Sequence, residues 1–260
     1  MKITFLGTGT SQGIPIIGSD HPVCKSDDPR DKRLRVSVLI ETEAGTFVID
    51  CGPDFRQQML THNVDRMDAL LFTHEHADHT AGLDDIRPFY FRQGDIPIFA
   101  HTRVLQQLER RFDYIFETKN KYPGAPSVST YKVINDHPIL FQKEQNGPTQ
   151  EIIPINASHG SLQVFGYRFD EFAYLTDIKT IADKEIEKLQ GLEVLVLNAL
   201  REESHYSHLN VEEALNLVSK IQPKKTYFTH ISHHLGFHAE VDSQLPSGVH
   251  LAYDGLQLTL

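Results

Sequence analysis

Thr73-His74-Glu75-His76-Ala77-Asp78-His79 sets three imidazoles and the Asp78 carboxylate within six positions, directly after the apolar run Ala69-Leu70-Leu71-Phe72. Alternate residues of an extended segment point the same way, so His74 and His76 can grip one ion. As the chain turns after them, Asp78 and His79 can swing toward a second ion. The order of ligands is specific, and the helical H-E-x-x-H spacing of another metal-site class is absent. The stretch therefore reads as the turn of a metal centre at the end of a strand.

The rest of the chain suits such a centre. Its 260 residues, 40% of them apolar, can bury one large core, and no linker-like or low-complexity stretch divides it. One domain over residues 1–260 is expected. Lys2-Ile3-Thr4-Phe5-Leu6 is too short an apolar run for a signal peptide, and nothing later approaches a membrane span. A cytoplasmic protein with no membrane partner is the expectation. Two cysteines, Cys24 and Cys51, cannot make a disulfide framework, so each is a buried thiol or a ligand. A net charge of -10 argues against a protein that coats nucleic acid, because that binding needs clustered cations to displace counterions. A small anionic substrate held by metal is compatible with that charge. Histidine is unusually frequent, with 15 copies against no tryptophan.

Working outward, the first half reads as strands with short turns: Lys2 to Leu6, then Val36 to Thr42 and Thr46 to Asp50 joined by a hairpin turn at Glu43-Ala44-Gly45. A short helix follows Pro53 from Asp54 to Leu60. Strands are expected at Ala69 to Phe72 and Ile96 to Ala100, with a helix from about Arg103 to Phe112. Residues 117–150 contain Pro123-Gly124-Ala125-Pro126 and read as loops with short strands, the segment most suited to a lid or insertion. The second half repeats the style, with strands at Glu151 to Ile155, Gly166 to Phe169 and Phe172 to Leu175, a helix ending at Gly191, and a strand at Val194 to Leu197. The spacing of Val211, Ala214, Leu215, Val218 and Ile221 predicts a helix, opened by a capping box of Asn210 with Glu213 and stopped before Pro223. Strands at Thr226 to Thr229, Val249 to Ala252 and Leu256 to Leu260 close the chain. Two strand-rich halves, each followed by helices, predict two sheets packed together with helices outside.

Two-metal hydrolysis needs more ligands than one loop supplies, so later strand ends should offer isolated histidines and carboxylates. His159 lies beyond Ile152-Ile153-Pro154-Ile155 and a short polar segment, Asp177 follows Ala173-Tyr174-Leu175-Thr176, and His230 follows Tyr227-Phe228-Thr229. A lone histidine is more often a hydrogen-bonded core or surface residue. Three such residues, each just past an apolar strand, shift that balance.

With Asp50 in Val48-Ile49-Asp50-Cys51-Gly52, this pattern resembles the metallo-β-lactamase superfamily over essentially the whole chain. The resemblance implies an α+β fold, a four-layer αββα sandwich, and a dinuclear centre of divalent ions, zinc or manganese by preference, with iron also accommodated. It assigns His74, His76, His159 and Asp177 to one ion and Asp78, His79, Asp177 and His230 to the other, with Asp177 bridging and Asp50 behind the ligands. Two such ions about 3.5–4 Å apart would lower the pKa of a shared water and accept phosphoryl oxygens. Asp78 would also orient the nucleophile. A leaving alkoxide still needs a proton, and Ser204-His205-Tyr206-Ser207-His208-Leu209-Asn210 offers His208 and, second, His205. This stretch is similar to the histidine-plus-helix motif that donates a proton in phosphodiesterase branches.

Asp rather than Cys at position 177 leans away from the β-lactamases themselves, and no basic C-terminal helix of the glyoxalase kind is evident. Phe5-Leu6-Gly7-Thr8-Gly9-Thr10-Ser11-Gln12-Gly13-Ile14-Pro15, Gly166-Tyr167, Thr229-His230-Ile231-Ser232-His233, Leu245-Pro246-Ser247-Gly248 and Tyr253-Asp254-Gly255 resemble the phosphoribosyl cyclic phosphodiesterases of phosphonate degradation. That branch implies a small, cyclic phosphodiester substrate and an extra structural zinc held by three cysteines and a histidine. Here His21, Cys24 and His233 stand at such positions, but Ser19 is a poor replacement for thiolate. A homodimer is compatible with the sequence.

Other classes fit less well. A tRNA 3′-processing endoribonuclease shares the metal ligands but needs an RNA-gripping arm. The cations Arg103, Arg110, Arg111, Lys119 and Lys121 lie among acidic neighbours and read as an ordinary solvated helix and loop. Gly9-Thr10-Ser11-Gln12-Gly13 matches the serine nucleophile elbow, yet Ile14-Pro15-Ile16-Ile17-Gly18 is unsuited to the helix that elbow requires. A noncatalytic binding module is disfavoured by the complete ligand set.

Overall fold

The computed structural model describes residues 1–260. Its strands are β1 (Lys2–Gly7), β2 (Ser37–Glu41), β3 (Thr46–Ile49), β4 (Ala69–Leu71), β5 (Ile96–Ala100), β6 (Val128–Lys132), β7 (Ile139–Gln142), β8 (Thr149–His159), β9 (Leu162–Phe169), β10 (Phe172–Leu175), β11 (Thr180–Ile181), β12 (Val194–Asn198), β13 (Lys225–Thr229), β14 (Val249–Leu251) and β15 (Gln257–Thr259). The helices are α1 (Phe55–Thr61), α2 (Ala77–Thr80), α3 (Arg87–Gln93), α4 (Thr102–Arg111), α5 (Asp113–Phe116), α6 (Asp183–Glu187), α7 (Val211–Ile221) and α8 (His238–Gln244).

Two sheets form, ordered β15-β1-β2-β3-β4-β5-β6 and β11-β8-β9-β10-β12-β13-β14, with β7 added on β8. Each has an antiparallel part that becomes parallel: β3, β4, β5 and β6 run together in one, and β10, β12, β13 and β14 in the other. The period-2 alternation explains the layering. Phe47 and Ile49, Ala69 and Leu71, Phe172 and Tyr174, Val194 and Val196 point into the core between the sheets. Their neighbours Val48 and Leu70 meet Phe55, Phe89, Val104 and Leu108 of the helices outside the first sheet. Ala173, Leu175, Leu195 and Leu197 do the same against Ile186, Ala214, Leu217 and Ile221 outside the second. The result is the expected αββα sandwich.

Several boundaries moved. The strand read as ending at Ile155 runs on through His159, and its partner β9 begins at Leu162 rather than Gly166, because residues 156–159 pair fully with 162–165. The helix read as reaching Gly191 stops at Glu187, and Gly191 turns the chain with φ +76°. Helix α3 begins on Pro88-containing sequence that the periodicity left unassigned. Within 117–150, β6 closes the edge of the first sheet and β7 pairs antiparallel with β8. The capping box of α7 forms as expected, with Asn210 and Glu213 bonded reciprocally.

A buried polar knot ties the two ends of the chain together. Arg33, 3% exposed, donates to Thr8 Oγ1 at 2.8 Å and to the Ala252 carbonyl, and its other nitrogen faces His238 Nδ1 at 3.0 Å. Arg33 can only donate, so that ring nitrogen accepts and the ring is neutral. Burial, reinforced by Arg33 and Arg30, pushes the His238 pKa down to about 4. Unfolded histidine titrates near about 6.5, so between these values the unfolded chain binds more protons than the folded one. The contribution is complete above that range and is lost as pH falls through about 4. His238→Gln keeps an acceptor but cannot titrate. The stability advantage of the natural protein over this variant is expected to shrink by roughly 1–3 kcal/mol between pH 7 and pH 4 in chemical denaturation. A difference that does not change with pH would remove His238 from the acid response.

Candidate metal centre

The site lies where strands of both sheets end on the same edge. Asp50 follows β3, the His74–His79 turn follows β4, His159 ends β8, Asp177 follows β10 and His230 follows β13. Crevices beyond the carboxyl ends of parallel strands are where such folds expose side chains. Asp50, Asp177 and His230 adopt left-handed backbone, with φ of 63°, 57° and 55°. That conformation is costly outside glycine, though Asp and His tolerate it best, and it aims each side chain sideways into the gap between the sheets. Gly52 has a different duty, since a Cβ there would fall 2.0 Å from the Asp78 carbonyl oxygen. Any side chain at 52 would displace the metal turn.

Eight of the expected side chains come together. Ligand atoms of His74, His76 and His159 lie within 4.8 Å of one another, as do those of His74, His79 and Asp177, of Asp78, His79 and His230, and of His159, Asp177 and His208. Asp177 is the common member between the two sides: His79 Nε2 is 3.2 Å from its Oδ2, and His230 Nε2 is 3.1 Å from its Oδ1. Asp78 Oδ2 lies 3.3 Å from His79 Nε2 and 3.9 Å from His230 Nε2.

The surroundings fix which ring nitrogens face the centre. Thr73 donates through its backbone N and its Oγ1 to the two Asp50 oxygens, both at 2.8 Å. Its hydroxyl proton being spent, Thr73 Oγ1 accepts from His74 Nδ1 at 3.0 Å, which leaves the His74 Nε2 lone pair free. Asp50 likewise takes the proton of His79 Nδ1 at 2.7 Å, and the Ser207 carbonyl takes that of His159 Nδ1 at 2.8 Å. In all three imidazoles Nδ1 is therefore the nitrogen held outward and Nε2 the one turned inward, the orientation in which histidine ligates. His74 Nε2 and His76 Nδ1 approach to 2.9 Å. His79 Nε2, both nitrogens of His230 and His208 Nδ1 are buried with no hydrogen-bond partner. Orphaned buried polar atoms are rare, and three of these, His79 Nε2, His230 Nε2 and His208 Nδ1, gather around Asp177, which calls for a cation. Burial pushes the His74 pKa well down, into the neutral form a ligand needs. Burial acts in the opposite sense on the Asp177 carboxyl, but His230 and His79 outweigh it and keep that group ionised. The donor set of imidazoles and carboxylates fits divalent ions of the zinc, manganese and iron kind.

His208 and His205 separate clearly. His208 is buried, stacked on His230 at 4.7 Å between ring centroids, with Nδ1 3.6 Å from Asp177 Oδ1. Leu209 N donates to the Ile178 carbonyl at 3.0 Å, so the loop carrying His208 is pinned beside Asp177. His205 stands one shell outward, 5.0 Å from the His208 ring, with its Nδ1 accepting from Ser207 N.

The candidate structural-metal set of His21, Cys24 and His233 is not among the groups whose ligand atoms converge. The His21 and His233 rings meet at 4.8 Å, but Cys24 does not join them: it is buried with Ile14 and Val23, and its Sγ accepts from Ile16 N at 3.5 Å. Without a thiolate at position 19, nothing draws Cys24 out of that apolar nest. Ser11 of the serine-elbow match sits exposed in a turn with no helix after it.

Sequence reasoning missed Thr73, Glu75, Arg103 and Arg111. The cations read as a solvated helix face in fact point onto the metal turn: Arg103 pairs with Glu75 at 2.8 Å and Arg111 donates to the Glu75 carbonyl at 2.8 Å. Their spacing, eight apart on one face of α4, was the available signal.

Comparison with known proteins agrees with this geometry. A family model described as a beta-lactamase superfamily domain matches residues 46–231. The crystal structure of a diphosphatase from the PhnP family superposes with a TM-score of 0.89 at 40% identity, covering 100% of this chain and 97% of that one. An octanoyltransferase of Porphyromonas gingivalis is 41% identical over 99% of this chain and 51% of its own length. A ribonuclease Z of Methanocaldococcus jannaschii is 26% identical over 66% of this chain and 48% of its own. The chain spans about half the length of these two curated relatives. No helix is long and apolar enough to cross a membrane.

Proposed function

Because the chain belongs to the metallo-β-lactamase superfamily of metal-dependent hydrolases, as kin of the PhnP family, we propose that it is a dinuclear phosphodiesterase acting on a small, cyclic phosphodiester of the phosphoribosyl 1,2-cyclic phosphate type. The observation that carries this reading is Asp177, a buried carboxylate within 3.6 Å of His79, His230 and His208 at once. In this proposal His74, His76, His159 and Asp177 hold one ion, and Asp78, His79, Asp177 and His230 the other. Ions bound there would supply Lewis acidity toward water and phosphoryl oxygens.

The chain's own groups account for the rest. Asp50 and Thr73 hold the His74 and His79 rings so that neither can turn its protonated nitrogen inward. Asp78, 12% exposed, borders the crevice and is placed to orient the attacking water. His208 faces the same space from the second sheet and is placed to give a proton to the departing alkoxide.

Cleavage of precursor tRNA is the other reading, supported by the likeness to ribonuclease Z. Against it, three of the five cations of 103–121 are already engaged: Arg103 and Arg111 on the metal turn, Lys121 on the Ile115 carbonyl and Ser127 Oγ. The net charge of -10 further disfavours a long polyanion. The octanoyltransferase is matched over only half its length, so its activity is not carried over.

The test is turnover of a five-membered cyclic ribose phosphate beside a small diphosphate ester and a precursor tRNA, on protein whose metal content has been measured. The cyclic diester is expected to show the highest kcat/KM. Preference for the diphosphate would move the substrate to the anhydride that the PhnP-family diphosphatase suggests. Preference for the precursor tRNA would overturn the small-molecule reading.

A further inference from the structure

Glu75 lies inside the metal turn yet ligates nothing in it. Its side chain, 17% exposed, instead receives a forked pair from Arg103 of α4, with Nε 2.8 Å from Oε1 and Nη2 3.2 Å from Oε2. The same Nη2 donates to the Gln163 carbonyl at 2.6 Å. Gln163 pairs with Ser158 in the β8–β9 hairpin, directly beside the pair His159 and Leu162. One guanidinium therefore joins the turn that carries His74 and His76, from the first sheet, to the hairpin that carries His159, from the second.

A second arginine completes the grip. Arg111, two turns further along α4, donates to the Glu75 carbonyl at 2.8 Å and to Thr80 Oγ1 at 2.6 Å, while Thr80 Oγ1 donates to the His76 carbonyl at 2.7 Å. Both ends of α4 thus press on the backbone that sets the His76 ring. These bonds are charge-assisted and planar, which fixes direction as well as distance.

From this we propose that Glu75 and Arg103 are positioning residues that set the gap between the two sheets at the site of His74, His76 and His159, and so tune the affinity of that one ion. The proposal rests on the reading of a dinuclear centre above. The side chains of the second group, Asp78, His79 and His230, are held by Asp50 and Asp177 instead and make no bond to Glu75 or Arg103.

The experiment titrates metal-free protein with Zn²⁺ against a chelating dye, following the ring resonances of His76 and His159 beside those of His230. Glu75→Gln and Arg103→Met are expected to weaken the ion sensed by His76 and His159 by about 10- to 100-fold, the loss usual when a partner of a ligand is removed. The ion sensed by His230 is expected to keep its natural affinity, and the metal-free variants their natural Tm. Arg103→Lys, which cannot reach Glu75 and Gln163 together in one plane, should fall between. Natural affinity for both ions in Glu75→Gln and Arg103→Met would overturn the brace. Equal weakening of both ions with a lowered Tm of the metal-free variants would reduce it to ordinary packing, which also overturns it. Failure of the unsubstituted protein to take up two ions would instead remove the reading on which it rests.

Discussion

Asp177→Ala is expected to lose both hydrolysis and metal: turnover of an aryl phosphodiester falls by more than about 100-fold, and bound metal drops from two equivalents toward one or none. The magnitude follows from position. Removing a group that merely supports a ligand costs about 10–100-fold, so a carboxylate that itself faces both halves of the centre should exceed the top of that range. Thr176 Oγ1 donates to its Oδ2 at 2.7 Å, and its two oxygens face His79 and His230 separately, so no neighbouring side chain can take its place. Alanine would also leave two inward nitrogens of buried rings facing an empty space. Asp177→Asn separates shape from charge, because asparagine tolerates the left-handed backbone at φ 57° but offers only one oxygen acceptor. Elemental analysis and the aryl assay together decide the matter: either variant with full metal and full rate would remove Asp177 from the centre.

His208→Ala should divide its effect by leaving group. Hydrolysis of an alkyl diester is expected to slow by about 10²- to 10⁴-fold, the range for a lost general acid, while a nitrophenyl diester, whose leaving group hardly needs a proton, slows severalfold at most. Both ions should stay bound. Burial, reinforced by the neighbouring His230, pushes the His208 pKa down to about 3, so the ring is neutral before substrate arrives. An incoming phosphate anion works against that push, which is the direction a proton donor requires. The alkyl rate of the natural protein should therefore fall on the alkaline side of its pH profile, and the variant should lose that limb. An equal loss on both esters would assign His208 to positioning, and retention of the limb would turn attention to His205.

Among the elements, the ones legible in advance were those whose local signal and tertiary setting agree. Val211 to Ile221 carries helical spacing, a capping box and a stop, and forms as read. β3, β4, β10 and β12 are continuous apolar runs because both faces are covered, one by the opposite sheet and one by helices. β8 was cut short because Asn156, Ser158 and His159 among its last residues are polar. They are strand because β9 pairs with them, and that partner is known only once the hairpin folds.

The candidates for the centre were legible in the chain: the His74–His79 turn and the single residues His159, Asp177 and His230 after apolar runs, which the fold brings together, stand out because ligand chemistry restricts residue type and strand ends restrict place. What the tertiary structure alone decided is which groups share a neighbour. His208 rather than His205 lies against Asp177, Cys24 packs with Ile14 and Val23, and Arg103 spans two sheets to reach Glu75 and the Gln163 carbonyl. The Arg103 contacts join segments 28 and 60 residues apart, set by how two sheets pack, and no local pattern carries that information.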